Sequence, residues 1–143
     1  FDFLPQGPSC LVRNGLEPMI AAGYPVLACV YNGTFVDIGT PTGLLRAQEV
    51  ALENLPDVFS ENGMRPPEEV IHGVFSMNKV PENIKTTPPV FIGHGFQSKG
   101  DVELGPNAFI SDNVTINGPV RAMNCVVLPG AVLSEDIKGP VAG

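Results

Sequence analysis

Acidic side chains outnumber basic ones 15 to 8 over 143 residues, a net charge of −7. No basic stripe runs along the chain to hold a phosphate backbone, which excludes nucleic acid as a partner. No run of about 18 apolar residues occurs, which excludes a membrane-spanning helix and sets no membrane partner. Gly (16) and Pro (15) are abundant, but a 43% hydrophobic content is too high for a disordered chain, so they signal turns. The three cysteines, Cys10, Cys29 and Cys125, stand far apart in apolar surroundings without a CxxC. They read as buried thiols of a reducing, cytoplasmic compartment. The chain starts at Phe1 without a Met, and no signal-peptide pattern precedes the first motif.

Residues 1–6 (FDFLPQ) read as the end of a strand followed by a Pro turn. Ser9 is placed to cap a helix over residues 10–22, with Leu11, Val12, Leu16, Met19 and Ile20 on one face. Pro18 lies inside that pattern and should kink or split the helix near Gly15. Gly23 then suits the residue after the helix end, with Pro25 just beyond.

Residues 26–31 (VLACVY) predict a strand, and Asn32-Gly33 predicts a hairpin returning over residues 34–36. Next comes FVDIGTP, residues 35–41, in which Thr40 suits an N-cap and Pro41 the first helical position. The helix continues over residues 42–55 with Leu44, Ala47, Ala51 and Leu55 on one face, and Pro56 is expected to stop it. Asp37, at a strand end just before a helix N-terminus, is well placed to bind Mg²⁺, or a phosphate-bearing ligand through the metal. The plainer alternative is that its carboxylate only caps or ends the strand. Residues 56–85 have no clear period, and ENG, RPPEE and VPEN break them; residues 71–77 could form one strand.

From residue 86 to 133 the sequence divides into eight hexads: TTPPVF, IGHGFQ, SKGDVE, LGPNAF, ISDNVT, INGPVR, AMNCVV and LPGAVL. The fifth place holds Val90, Phe96, Val102, Ala108, Val114, Val120, Val126 and Val132; the first is apolar in six of eight. Such a run arises by chance on the order of once in a thousand for one phase, so this is a true repeat, and its period is that of a parallel β-helix. Fifth-place side chains should point inward, first-place residues pack beside them, and Gly95, Asn107, Asn113 and Gly118 take the corners. Roughly eighteen residues close one triangular coil, so eight hexads predict fewer than three coils. Val80 and Ile84 fit an earlier hexad, and residues 134–143 read as a frayed end. A short stack with raw ends needs a cap or a symmetric homo-oligomer, with a trimer favoured.

Residues 35–47 (FVDIGTPTGLLRA), preceded by GYPV and an Asn-Gly turn, resemble the end of the catalytic domain of sugar-1-phosphate nucleotidyltransferases. These are the NDP-sugar pyrophosphorylases, including mannose-1-phosphate guanylyltransferases. The opening FDFLP is similar to the segment after that family's sugar-binding strand, and a hexapeptide β-helix follows the catalytic domain in some of its branches. The resemblance implies a mainly β chain: a left-handed parallel β-helix preceded by an α/β fragment of a nucleotidyltransferase domain. Residues 1–55 would end the catalytic domain, 56–79 would connect, and 80–143 would be the β-helix with its tail. It implies that sugar-1-phosphate attacks the α-phosphate of an NTP and releases pyrophosphate. In the family, the Asp matching Asp37 is one of two carboxylates holding Mg²⁺, and Gly39 and Thr40 lie near the sugar phosphate or the metal shell. The family's GxGTRLxPLT nucleotide loop and its first metal Asp do not occur here, so no catalytic residue is assigned, the chain reads as the C-terminal part of a longer enzyme, and these residues alone are expected to be inactive.

Two other readings stay open. One is a non-catalytic oligomerisation module. The other is a hexapeptide acyltransferase with His94 as general base, set against a plain corner histidine. A three-His zinc site fails by count, since only His72 and His94 occur. Cys125 reads as a packing or corner residue, Asp101, Glu103 and Asp112 as solvated, and Arg13 and Arg46 as helix-surface residues.

Overall fold

A computed structural model of the chain describes residues 3–137 and 139–143. Phe1 and Asp2, which open the FDFLP segment, lie outside the described residues. The chain forms two compact units, Phe1–Thr34 and Phe35–Gly143.

In the first unit a π-helical stretch, Leu11–Leu16, runs directly into α1, Glu17–Ala21. The change from wide to regular winding falls beside Pro18, which sits in the first turn of α1, where a missing N–H costs nothing. Ser9 does not cap this helix; instead the Asn14 side chain accepts the Cys10 N–H at 2.9 Å. The end is a double-bonded glycine turn: Gly23 has φ +80, its N–H reaches Ile20 O at 3.0 Å, and the Tyr24 N–H reaches Met19 O at 3.0 Å. Of the expected apolar face, Leu16 and Met19 are half-buried while Leu11, Val12 and Ile20 stay exposed. The strand expected over residues 26–31 and the Asn32-Gly33 hairpin do not form: Leu27, Val30 and Tyr31 stand 91%, 85% and 72% exposed. A strand exists only where a neighbouring edge takes its hydrogen bonds, and an isolated hairpin is marginal in water.

The second unit begins with α2, Pro41–Glu53, and α3, Leu55–Glu61. Pro56 starts α3 instead of ending a helix; the break falls at Asn54, whose φ of −129 and ψ of 27 leave the helical region. Twelve short strands follow among the described residues. They are β1 (Glu68–Ile71), β2 (Val74–Ser76), β3 (Ile84–Thr86), β4 (Val90–Ile92), β5 (Gln97–Lys99) and β6 (Val102–Leu104). After them come β7 (Ala108–Ile110), β8 (Thr115–Asn117), β9 (Val120–Ala122), β10 (Cys125–Val127), β11 (Val132–Leu133) and β12 (Val141–Ala142).

These strands wind a parallel β-solenoid of about four turns, more than eight hexads alone provide. One sheet runs β1-β2-β4-β7-β10-β12, with β1 antiparallel at its edge; the others run β3-β6-β9 and β11-β8-β5. The coil takes in β2, inside the stretch 56–79 expected as a connector. It also takes in β12, inside the stretch expected to fray, where Val126 pairs with Val141. Both segments join because a coil above or below offers an open parallel edge.

The inner stack is Val74, Val90, Val102, Ala108, Val114 and Val120 beside Ile92, Leu104, Ile110, Ile116 and Ala122, all buried. Corner residues Gly95 (φ +67), Asn107 (φ +54), Asn113 (φ +59) and Gly118 (φ +99) adopt the left-handed conformation expected of them. The hexad frame then slips. Val90 pairs with Ala108, 18 residues on, but Ala108 pairs with Cys125, 17 on. The corner before β7 is Gly105-Pro106-Asn107, whereas the corner before β10 is only Met123-Asn124. A one-residue slip turns every following side chain to the other face. Cys125, Val127 and Ala131 therefore fill the core, Val126 points outward, and Val132 and Leu128 lie exposed.

The three outer faces differ. Lys85, Glu103 and Arg121 stack in register with alternating charge on one, and Gln97 and Thr115 stack on another. The third carries Phe75, Phe91 and Phe109 in register, followed by Val126 and Val141. That aromatic ladder is the face the helices cover: Leu52 and Leu55 are buried on Phe75 and Phe91, with Phe59, Met77 and Phe109 at the margin. Leu44, Ala47 and Ala51 of the expected helix face are half-buried, and Leu52 is the α2 residue that goes fully inside. Among the described residues no helix is long and apolar enough to cross a membrane.

Candidate functional site

The FVDIGTP stretch packs its polar groups into a turn that leads into α2. The Asp37 Oδ1 accepts the Gly39 N–H at 2.9 Å. Thr40, with φ −135 and ψ 157, is the N-cap: its Oγ1 accepts the Gly43 N–H at 3.0 Å, and Pro41 follows at the first position. Gly43 is needed there because a Cβ would run into the Asp37 carbonyl oxygen. Asp37, Gly39 and Thr40, singled out from sequence, are thus brought together in one turn, and the Asp37 carboxylate is solvent-exposed.

What this turn can do is limited by its ligand count. Mg²⁺ demands about six oxygen ligands in octahedral array and usually takes one or two carboxylates from the protein. Here one carboxylate is present, with one of its oxygens already accepting a backbone N–H. No group of three or more His, Cys, Asp or Glu gathers as a metal site among the described residues. These residues do not make a Mg²⁺ centre by themselves. Arg46 does not reach toward Asp37 but pairs with Glu49 at 3.7 Å on the α2 surface.

The corner at His94 is built differently. The His94 backbone N–H donates to Asp112 Oδ1 at 2.7 Å, one coil on, and the Asn78 amide donates to Gly93 O at 2.9 Å, one coil back. A Cβ on Gly93 would strike the same Asp112 oxygen, so glycine lets the carboxylate sit over the corner. Asp112, expected to be merely solvated, therefore ties two coils together. Glu103 is likewise engaged, with Arg121 at 3.0 Å. The His94 ring is exposed at the lip of a groove of about 500 Å³ whose floor includes Phe91 and Phe109.

The cysteines divide. Cys125 is buried in the stack, and burial pushes its thiol up to about 11, which leaves it inert at neutral pH. Cys10 is half-buried and Cys29 exposed, against the expectation that all three lie inside. Bare residues 26–31 leave Cys29 nothing to hide behind.

Sequence reasoning missed the aromatic ladder. Its signal was present: Phe91 and Phe109 occupy the sixth place of hexads that lie one coil apart. Across known proteins, no protein-family model, no curated protein and no solved structure matches this chain.

Proposed function

We propose that the chain is the C-terminal part of a sugar-1-phosphate nucleotidyltransferase, which makes NDP-sugar and pyrophosphate from NTP and sugar-1-phosphate. In this reading Asp37 supplies one of the carboxylates that hold Mg²⁺, beside a second from outside these residues. Gly39 fixes the Asp37 carboxylate through its N–H, and Thr40 fixes the helix start beside it. Since the residues present form only one arm of a metal site, no chemical step is assigned to them. The β-helix, taken as left-handed on the resemblance, serves assembly into a homo-oligomer or regulation, in a cytoplasmic setting.

One observation carries the proposal. Residues 26–31 and 35–38 are rich in the apolar residues of a buried strand and pair with no strand among the described residues, with Leu27, Val30, Phe35 and Ile38 all open to solvent. Soluble chains rarely leave such a row uncovered. It is what the last strand of an α/β sheet looks like when the other strands lie elsewhere. The Asp-Gly-Thr-Pro turn and helix that follow it supply the chemistry the resemblance calls for.

The test starts from the coding sequence upstream of Phe1. An in-frame GxGTR-type loop is expected there. In the longer protein Asp37→Asn should cut NDP-sugar formation by at least about a hundredfold, the loss of transition-state charge stabilisation by a metal, while the 143-residue chain alone should show none. A start codon near Phe1 with no nucleotide binding would sink the proposal in favour of a non-catalytic assembly module. Loss of acyl-CoA binding on His94→Ala would sink it in favour of an acyltransferase.

A further inference from the structure

The aromatic ladder is covered by α2 and α3 along most of its length but is left open beside the end of α3. There the groove of about 500 Å³ has Phe91 and Phe109 as its floor, stacked at 4.5 Å with 21° between their planes. Phe59 leans over Phe91 at 6.1 Å. The volume suits a small molecule, for which pockets of about 300–1,000 Å³ are usual. A second hollow opens beside it, sharing Arg65 and His94 and adding Lys79 to the rim.

The charges at this mouth are Arg65 and Lys79 against Glu68 and Asp112, with the His94 ring between the two hollows. Asp112 already accepts the His94 N–H. Arg65 and Lys79, like Arg13, Lys85 and Lys99, form no ion pair among the described residues, so both are available to an anion. In a chain of net charge −7, Arg65 stands at the edge of the aromatic floor and Lys79 lines the adjoining hollow that Arg65 shares. An aromatic face favours a flat ring in offset stacking, and a free guanidinium favours a carboxylate, sulfonate or phosphate.

We infer that this groove binds a small planar anion, its ring on Phe109 and Phe91 and its acid group on Arg65 and Lys79. The site lies wholly within residues 59–129 and uses no part of the Asp37 turn, so its failure would leave the nucleotidyltransferase proposal standing.

The probe is 2-naphthyl phosphate, titrated into the full chain by calorimetry and followed in amide NMR spectra. One saturable site is expected, with shifts at His94, Phe109 and Arg65. Neutral 2-naphthol and inorganic phosphate should each bind at least about tenfold more weakly. Arg65→Ala changes an exposed side chain, and Phe109→Leu keeps apolar volume while removing the ring; each should weaken the probe about tenfold. The inference is overturned by any of three results: no binding at millimolar probe, equal affinity in wild type and both variants, or shifts confined to residues 24–38.

Discussion

Residues 26–31 (VLACVY) and the strand β10 (CVV) draw on the same small set of side chains, yet one lies bare and the other is a fully buried strand. The difference is in their surroundings. β10 has β7 on one side and β12 on the other, and its amides close bonds such as Val126 N–H to Pro140 O at 2.8 Å. Residues 26–31 have no such edge on either side among the described residues. Composition makes a segment fit for a pleated surface; a partner edge at the right spacing makes it a strand.

The largest effect should come from deleting side-chain volume in each region. Ile110→Ala empties the coil interior and should cost about 2–5 kcal/mol, while Leu27→Ala should stay within about 0.5 kcal/mol. Urea denaturation of both variants checks this, and equal losses would break the contrast. Next in size is Gly43→Ala, which drives a Cβ into the Asp37 carbonyl and should cost about 1–3 kcal/mol. An unchanged unfolding midpoint would show that the turn at Asp37 is not seated on α2 as described.

The thiols give a gentler test. Cys29 should react with a disulfide reagent at once and Cys125 only on unfolding. Burial raises the Cys125 thiol from 9.0 to about 11. The unfolded chain therefore gives up this proton first as pH rises. Stability is fully present below pH 9 and declines between about 9 and 11, and a Cys125→Ala variant should lose that slope. Hydrogen bonds from the Arg13 and Val12 backbone hold the Cys10 thiol below its ordinary value, so Cys10 should react faster than an unperturbed thiol. The smallest effect is Glu103→Gln, which removes an exposed pair to Arg121 and should change stability by less than about 1 kcal/mol.

Much of the solenoid was legible because its signals are local. Gly95, Asn107, Asn113 and Gly118 each mark a corner by tolerating positive φ. The slip at Met123-Asn124 was not legible, because the true inward position, Cys125, and its neighbour Val126 are both apolar. Val126 fits the hexad as well as Cys125 does, and only pairing with Ala108 decides between them. The Asp37 turn was half legible. Thr40 and Pro41 announced the helix start, but that the chain at Gly43 lies too close to the Asp37 carbonyl for a Cβ emerged only in the folded turn.

By itself the sequence determined a coil of hexads with glycine and asparagine corners, a Thr-Pro helix start and the glycine end at Gly23. Each rests on interactions within a few residues, where backbone sterics and one hydrogen bond decide. Only the tertiary structure decided that β2 and β12 join the coil, that Pro56 opens a helix, that the phase shifts at Cys125, and that the Phe75–Phe91–Phe109 face takes the helices. Those outcomes turn on neighbours a whole coil away, and an edge or an apolar face gains its free energy only when something is there to meet it.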